Sequence, residues 1–374
     1  MRVALAALVA LAVSQGIGRF AFTPILPMMQ QDSGLSVPDG GWLASANYLG
    51  YLVGALWAVR LRMRAVTAIR AGLAAIGLST LAMALHDGFL LWVLLRAVAG
   101  VASAWVLVFV SAWSLERLQA LGRGDLGGMA YAGVGAGVVV AGLVCLVAMS
   151  IHATSSGAWT SLGIAAIAAT ALIWTSFGQG EAVIAAPAPD PAKPPDFRRL
   201  VLCYGAYGFG YIIPATFLPV MAKQVIADPA LFGWAWPVFG AAAVASTFVA
   251  TRATRRFAFR AVWAASHLVM AAGVVVPVVL PGLPGILFAA LCVGGTFVAI
   301  TQVGLQEARA VAGAHARRLI AAMTSAFALG QIAGPLAAAY AVRATGGFSG
   351  ALILAAALLA VSAFALTPAG SRRA

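Results

Sequence analysis

Negative charge is what this chain lacks most. Ten acidic residues stand against 23 basic ones in 374 positions. All of them (Asp32, Asp39, Asp87, Glu116, Asp125, Glu181, Asp190, Asp196, Asp228 and Glu307) fall outside the centres of the apolar runs. A proton relay on a deep carboxylate, or a carboxylate partner for a cationic solute, therefore has no residue to carry it. Cysteine is rarer still. Cys145, Cys203 and Cys292 each lie inside an apolar run, an odd set without paired spacing that argues against disulfides and a metal site. No His, Asp, Cys or Ser cluster has ligand or nucleophile spacing, so no enzyme, cofactor or metal is expected. A GxxxxGK[ST] loop is missing, which excludes ATP-driven pumping.

What is present is apolar. The chain is 63% hydrophobic and 9% charged, with a mean hydropathy of +0.98. A soluble domain cannot hide that much apolar surface, so the expected solvent is a lipid bilayer. The formal charge of +13 invites a nucleic-acid reading. Its placement in short gaps between apolar runs makes it a topology signal instead, and no nucleic-acid partner is expected. Twelve stretches have spanning length, over 4–29, 41–60, 66–85, 89–113, 127–150, 158–177, 199–225, 232–251, 261–280, 285–305, 319–341 and 348–367. Arg2 with Ala12-Val13-Ser14 imitates a cleavable leader. The apolar run continues to Met29, however, so it reads as the first span.

Nineteen of the 23 basic residues fall on one side if the N-terminus is cytoplasmic. The other side has only Lys223 and Arg343, and Arg19 and Arg96 lie inside spans. That asymmetry predicts both termini in the cytoplasm and a multi-pass protein of the bacterial inner membrane. The stretch 178–197, GQGEAVIAAPAPDPAKPPDF, reads as a proline-rich cytoplasmic linker between bundles over 1–177 and 198–374.

The halves repeat. Gly16-x-Gly18 with Leu26-Pro27-x-Met29 recurs as Gly208-x-Gly210 with Leu218-Pro219-x-Met221, a shift of 192. The same shift carries Gly41-Trp42 onto Gly233-Trp234, and Arg60 and Arg64 onto Arg252 and Arg256. Gly133-xxx-Gly137 matches Gly330-xxx-Gly334 after a small drift in register. The expected fold is an all-α membrane protein of two pseudo-symmetric six-helix bundles, with a substrate site near midplane between them.

On these residues the chain resembles the major facilitator superfamily. Arg96-xxx-Gly100 is similar to that superfamily's antiporter motif in the fourth span, and Glu116-x6-Arg123 to its acidic–basic gate. Glu307 and Arg317 take the comparable place in the second half, and Gly330-xxx-Gly334-Pro335 resembles an antiporter element. Ala58 stands where an aspartate is expected after Gly54, a departure from the drug–proton pattern. Gly16-Ile-Gly18-Arg19-Phe20, Thr23-Pro24 and Asn47-Tyr48-x-Gly50-Tyr51 resemble the bacterial YbfB/YjiJ-type branch. The resemblance implies a transporter and alternating access, with Glu116, Arg123, Glu307 and Arg317 as gating residues.

Arg19 and Arg96 are the candidate substrate ligands, because a permanent charge within lipid persists where it lines a protein interior or a wet path. Planar guanidinium forks suit carboxylate, phosphate or sulfonate groups. The rival reading ties each arginine to backbone carbonyls freed at Gly16, Gly18 or Pro24. Asn47 and Tyr51 share a helix face, and Tyr204, Tyr207 and Tyr211 are set at spacings of three and four. Tyr207 and Tyr211 join the candidate list, Tyr211 being the repeat partner of Arg19. Gln15, Thr296, Gln302 and Gln331 are weaker candidates, and His267 reads as a packing residue. The expectation is a monomeric secondary or facilitative carrier of small anionic or zwitterionic solutes, with a coupling proton or an exchanged anion. The alternatives are a proton-coupled drug or metabolite exporter, and a transporter-derived sensor or scaffold.

Overall fold

The computed structural model describes residues 1–58, 63–85, 88–123, 126–177, 197–226 and 228–367. The expected linker lies outside this set except for Phe197. Among the described residues the protein is helical throughout, without strands. Its helices are α1 (Arg2–Leu11), α2 (Phe22–Asp32), α3 (Val37–Ala58), α4 (Ala65–Ala82), α5 (Phe89–Ala120), α6 (Gly127–Ser150) and α7 (Ser155–Ile173). After the linker come α8 (Arg198–Val225), the short α9 (Pro229–Phe232), α10 (Ala235–Ala253), α11 (Phe259–Val279), α12 (Leu283–Ala312), α13 (Ala316–Thr345) and α14 (Ser349–Leu366). Ten helical segments here are long and apolar enough to cross a membrane. The helices outside that set, α3 and α10, are 22 and 19 residues long and are diluted by glycine, serine and threonine.

Polarity is distributed inside out. Leu172 and Val279 are 82% and 72% exposed, whereas Gln15, Arg19 and Arg96 are 3%, 5% and 3% exposed. In water this pattern is unfavourable; with lipid as solvent it is the stable one.

The first span is a broken helix where the sequence reads as a continuous one. Between α1 and α2, Ala12–Ile17 winds as a π-helix, with Gly18 N–H donating to Val13 O at 2.9 Å and Phe20 N–H to Gln15 O at 3.2 Å. Pro24 continues the break. It has no N–H for the carbonyl of Phe20, which takes the N–H of Thr23 at 3.2 Å. A regular helix would have given that Thr23 donor to Arg19 O, so the Arg19 carbonyl is released at the middle of the bundle.

Packing in one half of the chain reappears in the other. The first span lies on α6, α3 and α4 on α5, and α4 on α7. Correspondingly α8 lies on α13, α10 and α11 on α12, and α11 on α14. The repeated glycines explain the close approaches: a Cβ on Gly16 would sit 2.4 Å from the Gly137 backbone, and one on Gly208 2.3 Å from Phe327 O. Across the seam between the halves, α2 meets α8, α3 meets α13 and α6 meets α10.

Candidate substrate site at the seam

The break in the first span sets Arg19 on the seam. Its neighbour Phe20 reaches across to Trp236 and Phe297, with ring centroids 6.3 and 6.1 Å apart. Tyr48, beside the guanidinium, bonds through its hydroxyl with Thr216 of α8 at 3.2 Å. The guanidinium carbon of Arg19 lies 4.0 Å from the Tyr51 ring centre and 5.4 Å from that of Tyr48. Nη1 donates to Gln15 Oε1 at 3.2 Å. Nε and Nη2 are buried and have no hydrogen-bond partner.

Those two nitrogens form one edge of the guanidinium, and their N–H bonds run side by side. This is the edge that grips a carboxylate or sulfonate with two parallel hydrogen bonds. Stacking on Tyr51 offsets part of the burial cost, about 0.5–2 kcal/mol. No described carboxylate neutralises the charge. Asp32 is taken by Ser155, Asp39 by Ser36 and Glu307 by Arg260, while Glu116 and Asp228 are exposed.

Arg96 is used differently. Its Nη2 donates to Arg19 O at 3.0 Å and its Nη1 to Gly18 O at 3.4 Å. Asn47 Nδ2 bonds Gly18 O at 3.2 Å and Arg96 O at 2.9 Å. These two side chains supply donors to carbonyls that the broken helix releases, and so hold the bend that presents Arg19. Its Nε is buried and has no hydrogen-bond partner.

The opposite wall is aromatic. Tyr211 stacks on Phe297 and Phe327 with both centroid distances 5.7 Å and interplanar angles of 2° and 7°. Tyr207 stacks on Tyr211 at 5.1 Å, and its hydroxyl donates to Phe297 O at 2.6 Å. Gln331 donates through Nε2 to the Tyr211 hydroxyl, leaving its own Oε1 buried without a donor.

The comparisons agree with this architecture. The family profile described as "Uncharacterised MFS-type transporter YbfB" matches residues 11–367. The chain belongs to that family. The crystal structure of a point mutant of the nucleoside transporter NupG superposes with a TM-score of 0.74 at 16% identity, over 97% of this chain and 98% of that one. At that identity the likeness speaks for the fold alone. No curated protein matches the sequence. The protein is a multi-pass membrane transporter of the major facilitator type with a small-molecule substrate, and not an enzyme.

Six residues were expected at the transporter's substrate site: Arg19, Asn47, Tyr51, Arg96, Tyr207 and Tyr211. All six are buried. Arg19 and Tyr51 face one another on the first half's side, and Tyr207 and Tyr211 belong to the facing wall. Of the gating candidates, Glu116 and Arg123 are exposed near the end of α5, and Glu307 pairs with Arg260 of α11 at 2.5 Å. The side chain of Arg317 lies outside the described residues. His267 is fully buried and accepts from Trp263 Nε1 at 3.0 Å, a packing arrangement. Thr296 and Gln302 bond to Cys292 O and Thr251 rather than to seam residues, while Gln15 and Gln331 contact Arg19 and Tyr211. Sequence reasoning missed Tyr48, Trp236, Phe297 and Phe327 as site residues. In so apolar a chain a ring carries no mark that separates seam from lipid face, although the Tyr48–Tyr51 spacing beside Asn47 was a usable signal.

Proposed function

We propose that the protein carries small organic anions, or zwitterions bound through their acid group, across the bacterial inner membrane by alternating access between two six-helix bundles over 1–177 and 198–374. The observation that carries this reading is the unpartnered Nε/Nη2 edge of Arg19, buried on the seam with no described protein carboxylate to meet it. A bare arginine at such depth costs roughly 2.5–3.5 kcal/mol on insertion scales. A bound carboxylate or sulfonate supplies both the missing acceptors and the missing charge. The rings of Phe20, Tyr211 and Phe297 suit a flat apolar body attached to that head group.

Among the described residues, four hydrogen bonds stitch the two halves together: Thr23 to Ala215 O at 2.7 Å, Tyr48 with Thr216, Ser45 to Ile332 O at 3.0 Å, and Lys223 to Pro27 O at 2.8 Å. All four lie on the side of Arg19 away from the N-terminus. With the termini cytoplasmic, this supports an arrangement closed on the outer side. Glu116, Arg123, Glu307 and Arg317 then serve the opposite, cytoplasmic gate, where exchange of surface ion pairs biases two states a few kcal/mol apart. The protein works as a monomer in this scheme.

A second reading has one observation in its favour. The buried amide of Gln331 beside stacked rings suits a neutral nucleoside-like solute, and the superposed neighbour is a nucleoside transporter. A thermal-shift panel of benzoate, benzenesulfonate, phenylalanine, uridine and tetraphenylphosphonium separates these cases. The anion reading expects stabilisation by the first two, lost in Arg19→Gln. Shifts with uridine or the cation alone overturn it, as do anion shifts that survive in Arg19→Gln. Flux of the stabilising solute into proteoliposomes tells a carrier from a sensor.

A further inference from the structure

The same guanidinium bears on how the cycle runs. Resting on the anion-site reading above, we infer that the protein is an obligatory exchanger of anions, one bound anion leaving as another arrives, and not a uniporter. Counting charges across the seam gives the argument. Arg19 contributes one permanent positive charge whose Nε/Nη2 edge is unmatched. Among the described residues Arg96 is the only other arginine buried there; its Nη1 and Nη2 hold Gly18 O and Arg19 O, its Nε is unmatched, and its positive charge is the same whether or not Arg19 is loaded. No described carboxylate reaches either of them, so nothing among the described residues cancels the charge of Arg19.

To change sides, a carrier passes through a state in which the seam is shut on both faces and water is expelled. With an anion on Arg19, the charge of that guanidinium is enclosed paired and hydrogen-bonded. Without one, a bare guanidinium must be enclosed among Phe20, Tyr48, Tyr51 and Phe297, where a lone charge is strongly disfavoured. The loaded carrier therefore reorients readily and the unloaded one slowly. Gln15, the group bonded to Nη1, is neutral and cannot replace the anion.

The test uses the full protein in liposomes and radiolabelled benzenesulfonate, which stays ionised at any working pH and does not leak as a neutral acid. Potassium on both sides with valinomycin clamps the membrane potential at zero, so charge build-up does not suppress net entry. Entry into vesicles preloaded with unlabelled benzenesulfonate is expected to exceed entry into unloaded vesicles by at least about tenfold, well inside the roughly 70-fold or more that an uncompensated buried charge implies. Arg19→Lys keeps the charge and is expected to keep the preference at weaker binding; in Arg19→Gln the ratio falls toward one. Equal rates in loaded and unloaded vesicles overturn exchange while leaving the anion site standing. No thermal shift and no entry with benzenesulfonate or benzoate removes the anion site, and exchange with it.

Discussion

Gly100→Ala tests how the site is held. Gly100 on α5 faces α3, and a Cβ there would stand 2.1 Å from Asn47 O and 2.8 Å from Tyr51 N. Ordinary carbon contacts need about 3.5 Å, so the two helices must part by roughly 1 Å at the point where Asn47 and Tyr51 leave α3. Asn47 Nδ2 bonds Arg96 O at 2.9 Å across this crossing, and such a displacement takes it out of hydrogen-bond range. Overpacking costs about 1–3 kcal/mol and the lost bond about 0.5–1.5 kcal/mol. The gain in helix propensity returns about 1 kcal/mol. The net loss, roughly 0.5–3.5 kcal/mol, corresponds to a fall in Tm of roughly 1–5 °C for a chain of this length. Because Tyr51 is the platform for Arg19, the stabilisation by benzenesulfonate should shrink as well. Gly350→Ala is the control, since a Cβ there meets nothing within 4 Å. Differential scanning fluorimetry in detergent reads both proteins. A Gly100→Ala protein melting with or above the Gly350→Ala control, and keeping its full anion response, would refute the reasoning.

Three further outcomes are expected. Arg96→Lys should lower Tm, because a single ammonium replaces the fork that holds Gly18 O and Arg19 O and one hydrogen bond from a charged group, about 1.5–3 kcal/mol, is lost; calorimetric titration should show less affinity loss than in Arg19→Lys. Lys223→Met removes the bond to Pro27 O and should raise labelling of a cysteine placed at Thr216 by an impermeant maleimide, with unchanged labelling counting against the outer closure. Glu307→Gln should cost under about 1 kcal/mol in Tm, since its partner Arg260 is 29% exposed, yet alter the rate of transport in liposomes.

Much of this architecture is legible in the sequence, because lipid imposes a simple code. The apolar stretches fall on helices to within a few residues. The 192-residue shift also has a visible cause in Gly16 and Gly208, each admitting the backbone of a neighbouring helix. The apolar run from Ala4 to Met29 reads as one span, although Ser14-Gln15-Gly16-Ile17-Gly18-Arg19 dilutes it at the break. A second signal is Pro24, whose missing N–H redirects Thr23 and releases Arg19 O. Carbonyl binding by Arg96 was one of the two readings the sequence left open, and no motif chose between them, because backbone carbonyls belong to every residue. Arg19 was conspicuous as a charge without a partner, while the rings facing it were camouflaged by a composition in which apolar side chains are everywhere.

Anomalous diffraction from crystals grown with 4-bromobenzoate would bear most directly on the role given to Arg19. The account predicts the carboxylate within hydrogen-bond distance of Arg19 Nε and Nη2, and the bromine among the rings of Phe20, Tyr211 and Phe297. Bromine located away from the seam, with the Nε/Nη2 edge bonded to a carbonyl or carboxylate of the chain itself, would contradict it.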